Sequence, residues 1–69
     1  MSKLRENFLA ENKGKWIKLI FGSGYQLNGK LVDFDEAMIE VATRAYSPNA
    51  TQNVLVPFTL ISTYVPSVE

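Results

Sequence analysis

The amino-acid sequence predicts an all-β domain, a small and strongly bent five-stranded antiparallel barrel with an N-terminal α-helix. Residues 22–41 alternate apolar and polar side chains on both sides of a turn, which is typical of a β-hairpin. Gly29 interrupts the first hairpin strand, because a residue without a side chain lets the strand bend as sharply as a small barrel requires. Leu4 and Phe8 lie four residues apart, a spacing typical of one face of a short helix.

The helix is predicted over residues 1–13. Ser2 is a suitable N-cap, and Gly14 suits the left-handed conformation that commonly follows the last helical turn. A helix this short is marginal in water by itself. We therefore expect its apolar side chains to dock on the barrel: Leu4, Phe8 and Leu9.

The barrel is predicted over residues 15–66. Its strands are expected at residues 15–21, 25–34, 37–45, 54–56 and 61–65. In the second strand, strict alternation places Leu27, Leu31 and Asp33 on one face and Phe34 on the other. Residues 46–53 are polar and predict an exposed loop, and residues 58–60 predict a brief turn.

Two features of individual strands add to this prediction. Pro57 and Pro66 are expected at strand ends, since proline cannot donate a hydrogen bond to a ladder. In the first strand, Trp16 and Ile20 share the face opposite Ile17, which is more apolar surface than a monomer normally exposes. We expect the helix or a neighbouring subunit to cover them, with Trp16 serving packing rather than ligand contact.

Size and composition predict one domain over residues 1–69 that oligomerises. Hydrophobic residues make up 46% of the chain, whereas so short a chain buries only a modest core by itself. Oligomerisation would bury strand edges and apolar faces between copies. The net charge is zero, but residues 1–30 hold six basic and two acidic side chains, whereas residues 31–69 hold one basic and five acidic. A ring would repeat that asymmetry as one basic and one acidic zone.

The sequence predicts a protein that is not an enzyme and needs no cofactor or metal. It has no His and no Cys, and it carries no phosphate-binding or dinucleotide-binding motif. Asp33, Asp35 and Glu36 cluster at the hairpin turn, where we favour turn capping over a metal or acid–base site. With no secretory signal and no apolar run of about 20 residues, we expect a cytoplasmic protein without a membrane partner.

The pattern G-x-x-L-x-G-x-L-x-x-F-D-x-x-M, from Gly24 to Met38, resembles the first motif of the Sm/LSm/Hfq family. Residues 61–67 resemble the last strand of bacterial Hfq, and the resemblance extends from Phe8 to Pro66. It implies an Sm-like, SH3-type barrel that forms a homo-oligomeric ring of about five to seven subunits and binds single-stranded RNA. The motif residues with a structural role are Gly29, Phe34, Asp35 and Met38.

The usual uridine pocket of the family is incomplete in this sequence. Ala37 stands where a stacking side chain is common, and Ile39 stands where Sm proteins place a base-reading Asn. Residues 56–59 lack both the Arg-Gly pair of Sm proteins and the Lys-His pair of Hfq. Phe58 is a candidate to stack on a base in their place, and the alternative is a core phenylalanine.

The opposite face of the ring is better preserved. The resemblance assigns purine-rich RNA there to Tyr25, Gln26 and Asn28, with Tyr25 stacking and Asn28 contacting base edges. Lys13 and Lys15 lie near where Hfq keeps a basic rim. The alternative for Tyr25 is packing at a subunit interface.

Three functions remain open at this point. The first is an Sm/Hfq-like ring that binds single-stranded RNA without catalysis, which the Tyr25-to-Asn28 surface and the basic N-terminal half favour. The second is a ring that has lost RNA binding and serves as a scaffold for a protein partner, which the zero net charge and the incomplete pocket favour. The third is a monomeric SH3-like barrel that binds peptides.

Overall fold

The computed structural model describes residues 3–46 and 49–67, and it confirms the predicted fold class. One α-helix precedes five antiparallel strands that form a single sheet in the order β4-β3-β2-β1-β5. The elements are α1 (Lys3–Asn12), β1 (Trp16–Phe21), β2 (Gln26–Phe34), β3 (Met38–Thr43), β4 (Gln52–Pro57), a 3₁₀ turn (Phe58–Leu60) and β5 (Ile61–Pro66). The predicted N-cap, Ser2, lies outside the described residues.

The strand bounds differ from the prediction mainly around the β3–β4 loop. β3 ends at Thr43 instead of residue 45, and β4 begins at Gln52, two residues earlier than predicted. The reason is cross-strand pairing: β4 pairs with β3 from Pro57 opposite Met38 to Gln52 opposite Thr43, so polar residues join the ladder. Pro57 and Pro66 are the last residues of their strands, as predicted.

The core lies inside the curve of the sheet and under α1. Its buried apolar side chains are Leu9, Ile17, Leu19, Leu27, Leu31, Ile39, Val41, Val56, Phe58 and Ile61. Leu9 is fully buried, and Phe8 packs against the cluster as predicted. The docking predicted for Leu4 is wrong, because 82% of Leu4 remains exposed. It lies one turn before Phe8, and at this end of the helix Arg5, instead of Leu4, contacts the core residue Phe58.

The end of α1 has the predicted glycine geometry. Gly14 has a φ of +84°, a conformation that costs little only for glycine. Its N–H donates to the Leu31 carbonyl oxygen at 2.8 Å, and the Leu31 N–H donates to the Lys15 carbonyl oxygen at 2.9 Å. These two bonds fix the helix against the middle of β2.

β2 alternates as predicted only as far as Leu31. The register with β3 shifts between Leu31 and Asp33, as in a β-bulge, where one strand carries an extra residue. Val32 and Asp33 are therefore both exposed, and Phe34 packs against the core. The prediction that Asp33 shares the face of Leu31 and that Phe34 lies on the opposite face is wrong for this reason.

Gly29 lies close to Val41, Ala42 and Thr43 of β3. A Cβ atom at this position would lie 3.1 Å from the Ala42 carbonyl oxygen and 3.1 Å from the Val41 Cβ atom. Both distances are tighter than ordinary van der Waals contact. The close approach explains why the middle of this strand carries a residue without a side chain.

Candidate nucleic-acid interface

The outer face of β1 and β2 carries a row of polar side chains. Because side chains alternate along a strand, cross-strand pairs put three residues of each strand on this face. The pairs are Trp16 with Lys30, Lys18 with Asn28, and Ile20 with Gln26. The face therefore combines two amides and two ammonium groups with two apolar side chains.

A groove opens beside this face, where the end of β3 lies next to β2. Its volume is about 530 Å³, and we call it the amide groove. Its lining residues are Trp16, Gln26, Leu27, Asn28, Thr43, Arg44 and Ala45. None of them is acidic, so an anion in the groove meets no like charge from its walls.

Thr43 holds one wall of the amide groove in place. This side chain is buried, and its Oγ1 donates a hydrogen bond to the Asn28 carbonyl oxygen at 2.7 Å. The same Oγ1 accepts the Ala45 N–H at 3.1 Å. These bonds join the end of β3 to β2, and they keep the exposed Arg44 next to Asn28.

The structure brings together two of the three residues predicted to contact RNA on this face. Gln26 and Asn28 both line the amide groove and are exposed. Tyr25 does not line it. Tyr25 precedes β2, is 50% exposed, and packs edge-on against Phe21 with ring centroids 5.6 Å apart.

The two predicted rim lysines lie outside the amide groove. The Lys13 Nζ atom is 3.3 Å from the Asp33 Oδ1 atom, so this cation is already paired on the surface. Lys15 is exposed and lies in the turn between α1 and β1. Its main chain pairs with Asn12 and Leu31, which fixes the turn.

Phe58 is a core residue and is unsuited to stack on a base. It is 7% exposed, and the Arg5 guanidinium lies 3.8 Å from its ring centroid. The Tyr64 ring packs beside it at 6.2 Å. Both neighbours cover surface that a base would need, so the structure supports the alternative of a core phenylalanine.

Trp16 and Arg44 are wall residues that the sequence analysis did not select. Trp16 was expected to serve packing alone, but it is only half-buried and faces the groove. Arg44 is the single basic residue of positions 31–69, and the pairing of β3 with β2 places it here. Strand alternation in the sequence already put Trp16 on one face with Lys18 and Ile20, but the residues of β2 that lie beside it depend on the register.

A second recess, the acidic cleft, lies at the other end of β2. Its volume is about 160 Å³, and its lining residues are Asp33, Phe34, Asp35, Met38, Ile39, Glu40 and Leu55. Three carboxylates surround apolar side chains, and no cation lines the cleft. Leu55 is 63% exposed.

The carboxylates of the acidic cleft are fixed by local hydrogen bonds. The Asp35 Oδ1 atom accepts the backbone N–H groups of Ala37 at 2.7 Å and Met38 at 2.8 Å, which confirms the predicted turn capping. These bonds hold the pKa of the Asp35 carboxyl below its usual value. The Phe34 N–H and then the Lys13 ammonium likewise lower the pKa of Asp33.

The described residues hold no group of three or more His, Cys, Asp or Glu side chains arranged to bind a metal ion. Within residues 3–46 and 49–67, no helix is both long enough and apolar enough to cross a membrane.

No protein-family model matches the sequence, and no curated protein matches it significantly. Among solved structures, the chain matches the crystal structure of the pleiotropic translational regulator Hfq with a TM-score of 0.78. The match covers 91% of this chain and 98% of that chain at 18% sequence identity. At this identity the likeness shows the fold alone, and the chain has the Sm/Hfq-like fold.

Proposed function

We propose that this chain forms a homo-oligomeric ring that binds single-stranded RNA on the outer face of β1 and β2 and catalyses no reaction. The observation that carries the proposal is the amide groove, where two exposed amides and one guanidinium meet without a carboxylate in the walls. The Sm/Hfq-like fold supports it, since the resemblance of the sequence to that family implies RNA-binding rings. A cytoplasmic location is part of the proposal.

The chemistry of this face suits a single strand of RNA. Single-stranded RNA exposes unpaired base edges, and an amide offers both a donor and an acceptor to them. Gln26 and Asn28 supply the amides, while Lys18 and Lys30 stand directly across from groove residues and can neutralise phosphates. The half-exposed ring of Tyr25 offers a stacking surface at the start of β2.

Ring formation is supported by the edges of the sheet. β4 and β5 are the outer strands, and neither has a partner on its outer side within the described part of the chain. Unpaired edges on so small a barrel pair most simply with copies of the same chain. The exposed Leu55 lies on β4, so such pairing would also cover apolar surface.

The preferred RNA should be rich in adenine rather than uridine. At the positions of the uridine pocket, Ala37 has no ring to stack and Ile39 is fully buried, so neither can hold a base. Asn and Gln side chains, in contrast, form paired hydrogen bonds with the edge of adenine. Any tight binding should therefore use the face that carries Gln26 and Asn28.

The proposal is tested with the purified protein and labelled A-rich, U-rich and random oligomers at two salt concentrations. We expect A-rich RNA to bind most tightly, and Tyr25→Ala to cost about 1–3 kcal/mol if Tyr25 stacks on a base. Asn28→Ala should also weaken binding, whereas Asn7→Ala, which removes an exposed amide of α1, should not. Added salt should weaken binding only gently, because few cations contact phosphates.

Two results would contradict this proposal. One is U-rich binding as tight as A-rich binding, and the other is A-rich binding that neither Tyr25→Ala nor Asn28→Ala changes. Light scattering at micromolar concentration should give a mass several times that of the chain. A monomer mass would contradict the ring.

The second candidate function is a ring that serves as a scaffold for a protein partner. The acidic cleft favours it, because carboxylates around Phe34 and Met38 suit a segment with cationic and apolar side chains and repel RNA. Absence of binding to every oligomer at low salt would favour the scaffold over the RNA-binding ring.

A further inference from the structure

We infer that the acidic cleft binds one arginine side chain of a protein partner, with its methylene stem on Phe34 and Met38 and its guanidinium against the carboxylates. The inference rests on the second candidate function, the protein scaffold, and it names the chemistry of the partner. It does not depend on RNA binding, because the acidic cleft and the amide groove share no lining residue among those described.

The size of the acidic cleft suits a single long side chain. Its volume of about 160 Å³ is below the roughly 300–1,000 Å³ of typical small-molecule sites. Among its described lining residues, only Leu55 lies on β4, the edge strand that the proposed ring would cover, and the others belong to β2, β3 and the turn between them. Most of the cleft wall is therefore separate from the edge through which the subunits would pair.

The apolar part of the acidic cleft can contact the methylene stem of the side chain. Phe34 and Met38 are half-buried and line the cleft, and the bulge in β2 leaves Val32 exposed next to Asp33. Long cationic side chains commonly lay their methylene groups on apolar surface and keep the charged group in polar surroundings. Methionine also adapts its shape to different partners. These contacts favour a cation with an apolar stem over a small inorganic cation.

The charges of the acidic cleft favour a cation from outside the subunit. Lys13 pairs with Asp33, but both side chains are more than half exposed, so this ion pair contributes little and a second cation can replace it. Among the described residues, no cation pairs with Asp35 or Glu40. The cleft therefore keeps a negative charge that a cationic partner would complement.

Each carboxylate of the acidic cleft has one oxygen available to a ligand. The hydrogen bonds and the ion pair of Asp33 and Asp35 all use Oδ1, and Glu40 uses Oε2, which accepts the Asn53 amide at 3.0 Å. Their second oxygens accept no hydrogen bond within the described part of the chain. A guanidinium is a planar fork of donors that matches carboxylate oxygens, whereas an ammonium is a strongly hydrated point charge. The partner should therefore carry arginine rather than lysine.

The experiment uses Met38 as a reporter inside the acidic cleft, because the chain has only one other methionine, Met1. The assembled protein, labelled with ¹³C at its methionine methyl groups, is titrated with a capped peptide that carries one arginine between two leucines. The Met38 methyl resonance should shift and reach saturation. The same peptide with citrulline, which keeps the shape and lacks the charge, should leave the resonance unchanged. The peptide with lysine should bind more weakly.

Variants of the carboxylates test the charge without removing the oxygen acceptors. Asp35→Asn and Glu40→Gln should each weaken binding of the arginine peptide on the order of tenfold, as expected for a lost charge-assisted hydrogen bond. Glu36→Gln is the matched control, because Glu36 stands next to Asp35 in the turn and is not among the residues that line the cleft. It should bind the peptide like the parent. Melting temperatures show whether each variant is folded.

The outcomes distinguish this inference from the RNA-binding function. If no peptide shifts the Met38 resonance, the arginine site is wrong, and the titrations with RNA still decide the RNA-binding ring. Equal shifts with arginine and citrulline, or equal losses for Glu36→Gln and Asp35→Asn, would also overturn the site. Equal affinity for the lysine peptide would overturn the assignment of arginine. A-rich RNA should leave the Met38 resonance unchanged, and a shift would show that the cleft is not selective for a cationic partner.

Discussion

The amide groove and the acidic cleft lie at opposite ends of the same nine-residue strand, yet they suit opposite ligands. The groove at the start of β2 is lined by two amides and one guanidinium without a carboxylate. The cleft at its end is lined by three carboxylates, one of which, Asp33, pairs with Lys13. The guanidinium of the groove would attract phosphates and the carboxylates of the cleft would repel them, so the two surfaces differ in the sign of their charge.

The bulge in β2 explains why the two ends differ in form as well as charge. Before the bulge, strict alternation exposes the polar side chains of Gln26 and Asn28 on the outer face. After it, the register shift exposes Val32 and Asp33 together and turns Phe34 towards the core. The cleft therefore has charged groups around apolar side chains.

The largest expected effect is a loss of stability that would disturb the amide groove and the acidic cleft together. Gly29 lies between them on β2, and Gly29→Val would force a branched side chain against Ala42 and Val41. We expect a loss of stability on the order of a few kcal/mol, as for other overpacked sites. Thermal unfolding measures it.

The matched control for Gly29 is Gly22→Val. Gly22 has an ordinary φ, and a Cβ atom there would meet nothing within 4 Å. The melting temperature of Gly22→Val should lie close to that of the parent. A Gly29→Val protein that also melts within a couple of degrees of the parent would show that the strands tolerate a side chain at this point.

The second prediction concerns a substitution that changes the acidic cleft and leaves the amide groove unchanged. Leu55→Asp adds a fourth carboxylate to the cleft, on the β4 edge that the proposed ring would cover. Like charges forced together at an interface cost several kcal/mol, so the ring should dissociate. Light scattering should then give the mass of a smaller species.

The control for this change is Leu4→Asp, because Leu4 is an exposed leucine that lies on α1 and not on β4. Its mass should equal that of the parent. Tyr64→Asp is a poorer probe of the interface, since Tyr64 packs on Phe8 and Phe58 within its own subunit. An unchanged mass for Leu55→Asp would remove β4 from the proposed interface.

The smallest expected effect is a dependence of stability on pH, which tests the role of the cleft carboxylate Asp35. The backbone N–H groups of Ala37 and Met38 keep the pKa of Asp35 below its ordinary value of 3.8. A group with a lowered pKa in the folded state stabilises the protein above its unfolded-state pKa, and this stabilisation is lost as the pH falls through the folded-state pKa. The parent should therefore melt at lower temperature below about pH 4.

Asp35→Asn should lose less stability in acid, because its side-chain oxygen can still accept the two backbone bonds but no longer titrates. Glu36→Gln is the control, since no hydrogen bond of the turn involves Glu36 among the described residues. Its melting temperature should follow that of the parent with pH. Identical pH profiles for the parent and Asp35→Asn would assign the acid sensitivity to another group.

The sequence by itself determined the features that depend on neighbouring residues. Gly14 after the helix, Asp35 in the turn, and the prolines at the ends of β4 and β5 follow from conformational preferences that act within a few residues. The alternation of β2 up to Leu31 likewise predicts which side chains enter the core. For the same reason, Gln26 and Asn28 could be placed together on one face before the structure was seen.

Only the tertiary structure decided which distant residues meet. The bulge after Leu31 depends on how β3 pairs with β2, and the exposure of Leu4 depends on where α1 rests. Phe58 is covered by Arg5 and Tyr64, which are far from it in sequence or on another strand. Trp16 and Arg44 are 28 positions apart in the chain and share a groove because β2 lies between β1 and β3. Local conformational preferences carry no information about contacts between distant residues, because the register and curvature of the whole sheet determine those contacts.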